Sequence, residues 1–176
     1  MRAVLFGLTL IAMFASPAMA HSGPEHVHSF TSGVLHPVTG ADHVLAMALV
    51  GLWATFVGGR AIWAWPATFV AIMLAGFATA RLGLEISFVE PAISASIMVL
   101  GLLVLAQVKA PFALGASIVG LVAFLHGHAH GTEVVAGNIL SYAAGFTFST
   151  GALLATGVNL GLCMRSPAER FAILLM

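Results

Sequence analysis

Two short stretches of this chain hold side chains whose types and spacing suit the binding of a transition metal. The first runs His36-Pro37-Val38-Thr39-Gly40-Ala41-Asp42-His43 and continues to Met47. At about 100° per helical residue, positions 36, 40, 43 and 47 share one stripe, with Asp42 on the adjoining face. Pro37 suits the first helical position, which puts His36 at the cap. Two imidazoles, a thioether and a carboxylate are transition-metal donors, and Gly40 leaves room between the histidines. The second stretch is His126-Gly127-His128-Ala129-His130-Gly131-Thr132-Glu133. If the helix persists that far, His126 and His130 share a face at a spacing of four, while His128 points roughly opposite.

Each of these residues has a plainer explanation when taken alone. A carboxylate such as Asp42 or Glu90 near a helix N-terminus is favourable by about 0.3 to 1 kcal/mol without any ligand. His36 would sit comfortably in a wet interface, and Met47 would serve as core filler. Arg81 and Glu85, four apart, read as a structural pair. The metal reading rests on the clusters occurring together. The candidate ligands are His36, Asp42, His43, Met47, Glu90, His126 and His130, with His128 and Glu133 as secondary candidates.

The elements that position these residues are membrane helices. Of 176 residues, 60% are hydrophobic and 7% charged, against about 25% charged in soluble domains. Too little polar surface is available to cover a globule in water, which argues against a soluble enzyme, a nucleic-acid binder or a disordered chain. Apolar segments recur at 37–57, 61–80, 91–108, 111–129 and 134–158. Each is long enough to cross a hydrocarbon core of about 30 Å. In lipid such segments must satisfy their own backbone, so they are read as helices. A sixth begins near Ala168, and its nine residues to Met176 would rise only about 13 to 14 Å. The expected fold is therefore all-α: a polytopic transmembrane bundle of five full spans and an incomplete sixth.

Residues 1–20 have a basic start at Arg2, an apolar run and the ending Ala18-Met19-Ala20, the layout of a secretory signal peptide cleaved before His21. Residues 21–35 then form an extracytoplasmic arm, and 36–176 the transmembrane domain. His21, His26 and His28 in that arm read as a metal-capture segment. With the mature N-terminus outside, Arg60, Lys109, Arg165 and Arg170 fall in inner loops and Arg81 alone lies outside, which satisfies the positive-inside bias. This orientation brings the start of the first span, the start of the third at Glu90 and the end of the fourth to the same outer face. Trp53, Trp63 and Trp65 flank Arg60 as an interfacial aromatic belt. Gly115, Gly120, Gly145, Gly151 and Gly157 read as helix-packing positions. Cys163 is the only cysteine, which excludes an internal disulfide or a cysteine-built metal site.

The H-x5-D-H pattern of His36, Asp42 and His43, followed by Met47, and the H-G-x-A-H-G-x-E pattern from His126 to Glu133 resemble those of the HupE/UreJ nickel permeases. The likeness runs from the signal peptide through the order of spans. Glu90 in its V-E-P step is similar to the family's acidic position in the third span. Leu125 stands where the family usually has Phe, with Phe124 one step earlier. The resemblance implies a bacterial inner-membrane secondary permease with a periplasmic N-terminus, importing Ni2+ as transported substrate for hydrogenase or urease maturation. Periplasmic or cytoplasmic metal donor and acceptor proteins are its expected partners, besides the lipid bilayer.

The residues alone leave the ion open, because imidazole and carboxylate suit Ni2+, Co2+, Zn2+ and Cu2+ alike. A Co2+ or other divalent-metal permease is thus an alternative. No G-x-x-x-x-G-K-[ST] loop occurs, so the chain does not resemble an ATPase, and no organic cofactor or nucleic acid is implied. A membrane metalloenzyme is a rival reading that needs a general acid or base beside the metal, for which Glu133 is the nearby spare acid. A sensor or assembly scaffold, binding metal that never crosses, is the other.

Overall fold

The computed structural model describes residues 29–134, 137–165 and 167. The expected signal peptide, His21, His26, His28 and the incomplete last span lie outside these residues. Among the described residues there are six α-helices: α1 Phe30–Thr39, α2 Ala41–Val57, α3 Ala61–Arg81, α4 Val89–Leu105, α5 Phe112–Glu133 and α6 Ile139–Cys163. Among them α3, α5 and α6 are long and apolar enough to cross a bilayer. α1 and α2 together make a fourth candidate span, bent by 79° at its break. α4 has 17 residues, a rise of about 25 Å against a core of about 30 Å. The described residues are all-helical as expected, with three helices long and apolar enough to span and one bent pair that is either a broken span or a re-entrant loop, against the five full spans expected.

The first helix departs from the expected start at Pro37. Ser29 caps α1, accepting from the Ser32 amide while the Ser32 hydroxyl accepts from the Ser29 amide, which fixes a start seven residues earlier. Residues 30–35 of the expected arm are therefore helical. Pro37 lies inside α1, and lacking an N–H it weakens the final turn. Thr39 donates its hydroxyl to the Leu35 and His36 carbonyls, and Gly40 turns extended before α2 begins. His36 is thus one turn from the end of α1, and the single stripe through 36, 40, 43 and 47 is replaced by a corner between two helices.

Two helices end in the same six-residue way. Gly83, at a φ of 85°, closes α3, with the Gly83 amide on Ala80 and the Leu84 amide on Thr79. Gln107, at a φ of 50°, closes α4, with the Gln107 amide on Val104 and the Val108 amide on Leu103. This pairing satisfies the last carbonyls of a helix and stops it. It ends α4 short of the expected Val108, and it takes Glu85 off α3. Arg81 therefore does not form the expected pair with Glu85; its guanidinium donates to the carbonyls of Gly131 and Val134 instead. α6 starts at Ile139 rather than 134 because Asn138 caps it, accepting from the Ser141 amide.

Glycines set the close crossings. A Cβ at Gly127 on α5 would collide with the Met73 backbone on α3, and one at Gly76 with the Phe124 carbonyl in return. Gly51 and Gly157 do the same for α2 and α6, and Gly33 and Gly145 for α1 and α6. Gly115 makes room for the Trp65 ring. Gly145, Gly157 and Gly115 are thus packing positions as expected, whereas Gly151 has open space beside it and Gly120 only loose contact.

The aromatic belt is corrected for two of its three members. Trp53 and Trp65 are fully buried, their rings 4.7 Å apart. Each indole N–H donates to a carbonyl, Trp53 to Val108 and Trp65 to Phe112. That satisfaction is what allows a tryptophan into a core. Trp63 alone is exposed, at 69%. Elsewhere the outer surface is strongly apolar, with Leu140 82% and Phe148 66% exposed. A surface of that kind belongs in lipid.

Candidate metal centre

α1, α2 and α5 meet where their histidines lie. His36 comes from the last turn of α1, His43 from the first turn of α2, and His126 and His130 from the final turns of α5. α5 does persist to Glu133, so His126, His130 and Glu133 fall on one stripe. Ring centroids lie 5.5 Å apart for His36 and His43, 4.6 Å for His36 and His130, and 4.4 Å for His43 and His130. One ring nitrogen from each of these three lies within 4.8 Å of the others. His126 adjoins the group, 5.4 Å from His43 by centroid.

The hydrogen bonds select which nitrogens remain available. His43 Nδ1 lies 2.8 Å from Asp42 Oδ1, and an ionised carboxylate only accepts, so Nδ1 carries the proton and Nε2 keeps its lone pair. His126 Nδ1 donates in the same way to the Val122 carbonyl at 2.8 Å. The Nε2 atoms of His43 and His126 and both ring nitrogens of His130 are buried without a hydrogen-bond partner among the described residues. Orphaned buried polar atoms are costly, at about 1 to 3 kcal/mol each. Several on facing imidazoles make up a set of donors that could hold a metal ion.

Glu133 belongs to this centre more fully than its secondary rank in the sequence suggested. Its Oε2 lies 3.2 Å from His36 Nε2 and 3.8 Å from His130 Nδ1. Asp42 takes a different place, behind His43, where it orients the ring. Met47 is fully buried in the apolar core, one turn beyond His43 on α2. Glu90 does not join the cluster; it lines a separate cleft together with His128. His128 points away from the cluster as expected, its Nε2–H donating to the Leu84 carbonyl at 2.9 Å.

Two residues at the centre escaped sequence reasoning. Tyr142 is buried and its ring lies 6.2 Å from that of His36, and Phe146 lies 4.5 Å from His130. The signal for Tyr142 was its being the only tyrosine, with a hydroxyl set in an apolar span. Expected to leave room between the histidines, Gly40 instead makes room for the Asp42–His43 pair, since a Cβ there would press on His43 Nδ1 and Asp42 Oδ1.

The sequence matches the family described as "HupE / UreJ protein" over residues 8–175. The chain belongs to the HupE/UreJ family. A relative called "Protein HupE", from Rhizobium leguminosarum bv. viciae, is 40% identical over 154 residues, which cover 86% of this chain and 81% of that protein. No solved structure matches. All the histidines and acids of the centre lie within the part matched to the HupE/UreJ family.

The Asp42–His43 pair gives a first prediction for this HupE/UreJ member. A carboxylate behind a metal-ligating imidazole holds its tautomer and raises its basicity, and its loss typically costs 10- to 100-fold in affinity. If the cluster holds a divalent metal, Asp42→Asn should weaken its binding to the purified protein by roughly 10- to 100-fold, read by equilibrium dialysis with Ni2+ as the probe. Unchanged affinity would remove Asp42 from the site.

Proposed function

We propose that this protein is a secondary permease that carries a divalent transition metal, Ni2+ foremost, across the bacterial inner membrane from the periplasm, for hydrogenase or urease maturation. The observation that carries the reading is the convergence of His36, His43 and His130 from three helices, with buried lone-pair nitrogens and Glu133 beside them. Donors on one ion at about 2.0 to 2.1 Å stand roughly 3 to 4 Å apart. The cluster, at up to 4.8 Å, is slightly wider than that. Side-chain rotation closes it around an ion and releases it again, which suits a site that must let its substrate leave.

The broken α1–α2 span supports the same reading. Backbone departs from helix at membrane depth only where it is buried in protein or lines a cavity, and transporters place their sites at such breaks. Here the break at Gly40 puts His36 and His43 on opposite sides of a corner facing α5. Asp42 and Glu133 offset the charge of the cation, and the imidazoles replace part of its hydration shell. Family membership favours nickel among the divalent ions that these donors suit. Co2+ import remains the alternative to be separated by experiment.

Charge placement supports the orientation. Lys109 and Arg165 lie together with Phe56 at the end of the bundle where α5 begins. Arg60 sits there as well, 3.7 Å over the Phe112 ring. The metal centre is at the other end of α5, and the positive-inside bias favours a periplasmic position for it.

Uptake of radiolabelled Ni2+ by cells expressing the protein, with Co2+ and Zn2+ as competitors, tests the function and its selectivity. The same assay has an expected pH profile. Imidazoles must be neutral to ligate, so protons compete with the metal and uptake falls as the medium is acidified. Uptake that rises as the medium is acidified would contradict ligation by neutral imidazoles.

A further inference from the structure

We propose that Phe146 is the positioning residue of His130, standing in for the hydrogen bond that orients the other histidines, as part of an aromatic platform shared with Tyr142 and Phe77. His43, His126 and His128 each place a ring nitrogen 2.8 to 2.9 Å from a carboxylate or carbonyl oxygen, and His36 Nε2 lies 3.2 Å from Glu133 Oε2. His130 has no hydrogen-bond partner among the described residues. Glu133 Oε2 stays 3.8 Å from its Nδ1, beyond hydrogen-bond reach. A metal-ligating imidazole is ordinarily aimed by a partner on its other ring nitrogen. Packing must aim this one.

The Phe146 ring is fully buried and lies 4.5 Å from the His130 ring by centroid, crossing it at 61°. Aromatic pairs have preferred geometries, so such a contact orients a ring as well as filling space. Phe146 is itself held. Tyr142 stacks on it at 6.2 Å and 19°, Phe77 of α3 lies 6.1 Å away, and Phe77 and Tyr142 stack on each other at 6.4 Å. All three rings are buried. The backbone that carries two of them is seated against α1, because a Cβ at Gly33 would meet the Tyr142 carbonyl and the Phe146 amide. Tyr142 also stands edge-on to His36 at 6.2 Å, so the platform touches two of the three clustered histidines.

Orientation by packing has a chemical consequence. No hydrogen bond fixes the His130 tautomer, so either nitrogen can shed its proton and offer a lone pair, while the platform holds the ring against those of His36 and His43, 4.6 and 4.4 Å away. The ligand set therefore has one member aimed by ring contacts alone. This role rests on reading the cluster as a metal centre; it does not depend on transport.

The test is Co2+ binding to the full chain in detergent, with His21, His26 and His28 replaced by Ala so that the N-terminal imidazoles contribute nothing. It is read by the visible absorption bands of the bound ion, whose position and intensity follow ligand geometry. Phe146→Leu should shift these bands and weaken binding about tenfold or more, and Phe146→Tyr, which keeps a ring in place, should return both toward the parent. Phe77→Leu, one ring farther from His130, should shift the bands less, and it decides the matter if the Phe146→Leu protein does not unfold cooperatively with a chelator present. A Phe146 that only fills space would lower the unfolding temperature and leave bands and affinity at the parent's values. That result, or unmoved bands in Phe77→Leu where it must decide, overturns the proposal. Bands that survive His36→Ala combined with His43→Ala would overturn the metal reading of the cluster and the proposal with it.

Discussion

His130→Leu should reduce Ni2+ uptake at least about 100-fold while leaving the metal-free protein as stable as the parent, or more so. The first half follows from ligand loss: even outer partners of a metal are worth 10- to 100-fold, and His130 contributes a ring within 4.6 Å of both His36 and His43 by centroid. The second half follows from burial. Among the described residues both His130 nitrogens are enclosed without a hydrogen bond, with Glu133 Oε2 no nearer than 3.8 Å and the Phe146 ring at 4.5 Å. Replacing an unsatisfied polar ring by an apolar side chain of similar size removes a penalty of about 1 to 3 kcal/mol. Thermal unfolding in detergent with a chelator present reads this, and added Ni2+ should stabilise the parent more than the variant, whose central cluster has lost a ligand. A purely structural His130 would lose stability together with uptake.

Gly127→Val should have the opposite character, with function lost because the helices separate. A Cβ at Gly127 would overlap the Met73 carbonyl and crowd its Cα. These are backbone atoms, which cannot rotate aside. α5 would have to move off α3 and carry His126 and His130 away from α1 and α2. Overpacking of this kind costs about 1 to 3 kcal/mol and sometimes more, and the expected results are reduced yield and a lowered unfolding temperature with or without metal. Gly151→Ala is the matched control, since nothing lies within 4 Å of its added Cβ. Equal stability of the two variants would contradict the close crossing.

The chemistry was more legible in the sequence than the geometry was. His36, His43, His126 and His130 stand out by residue type alone, since four imidazoles in otherwise apolar spans need a reason. Their convergence follows from alternating spans, which bring the start of one helix and the end of another to a common face. The break at Gly40 was not legible, because proline is most at home in a first helical turn, and the Ser29–Ser32 cap that moves the start lies in a stretch polar enough to pass for a loop. The pairing of Arg81 with Glu85 failed for a related reason. Spacing of four implies contact only while the helix lasts, and Gly83 ends it. Trp53 and Trp65 beside Arg60 suggested an interface, but the carbonyls that let them be buried come from Val108 in the α4–α5 connection and Phe112 at the start of α5, 55 and 47 residues away. Glu133 was underrated because its partner, His36, lies on another helix. Such long-range placement has no local signature.

The central claim is that a divalent metal passes through the membrane by way of the cluster on α1, α2 and α5. Its most direct test is Ni2+ entry into proteoliposomes that contain the purified protein and an internal metal-sensitive dye, compared with liposomes carrying the His43→Ala, His130→Ala double variant. The expected result is saturable entry with the parent protein and entry at the protein-free rate with the variant. Ni2+ that binds the parent protein but never reaches the dye, or entry through the variant at the parent's rate, would contradict it.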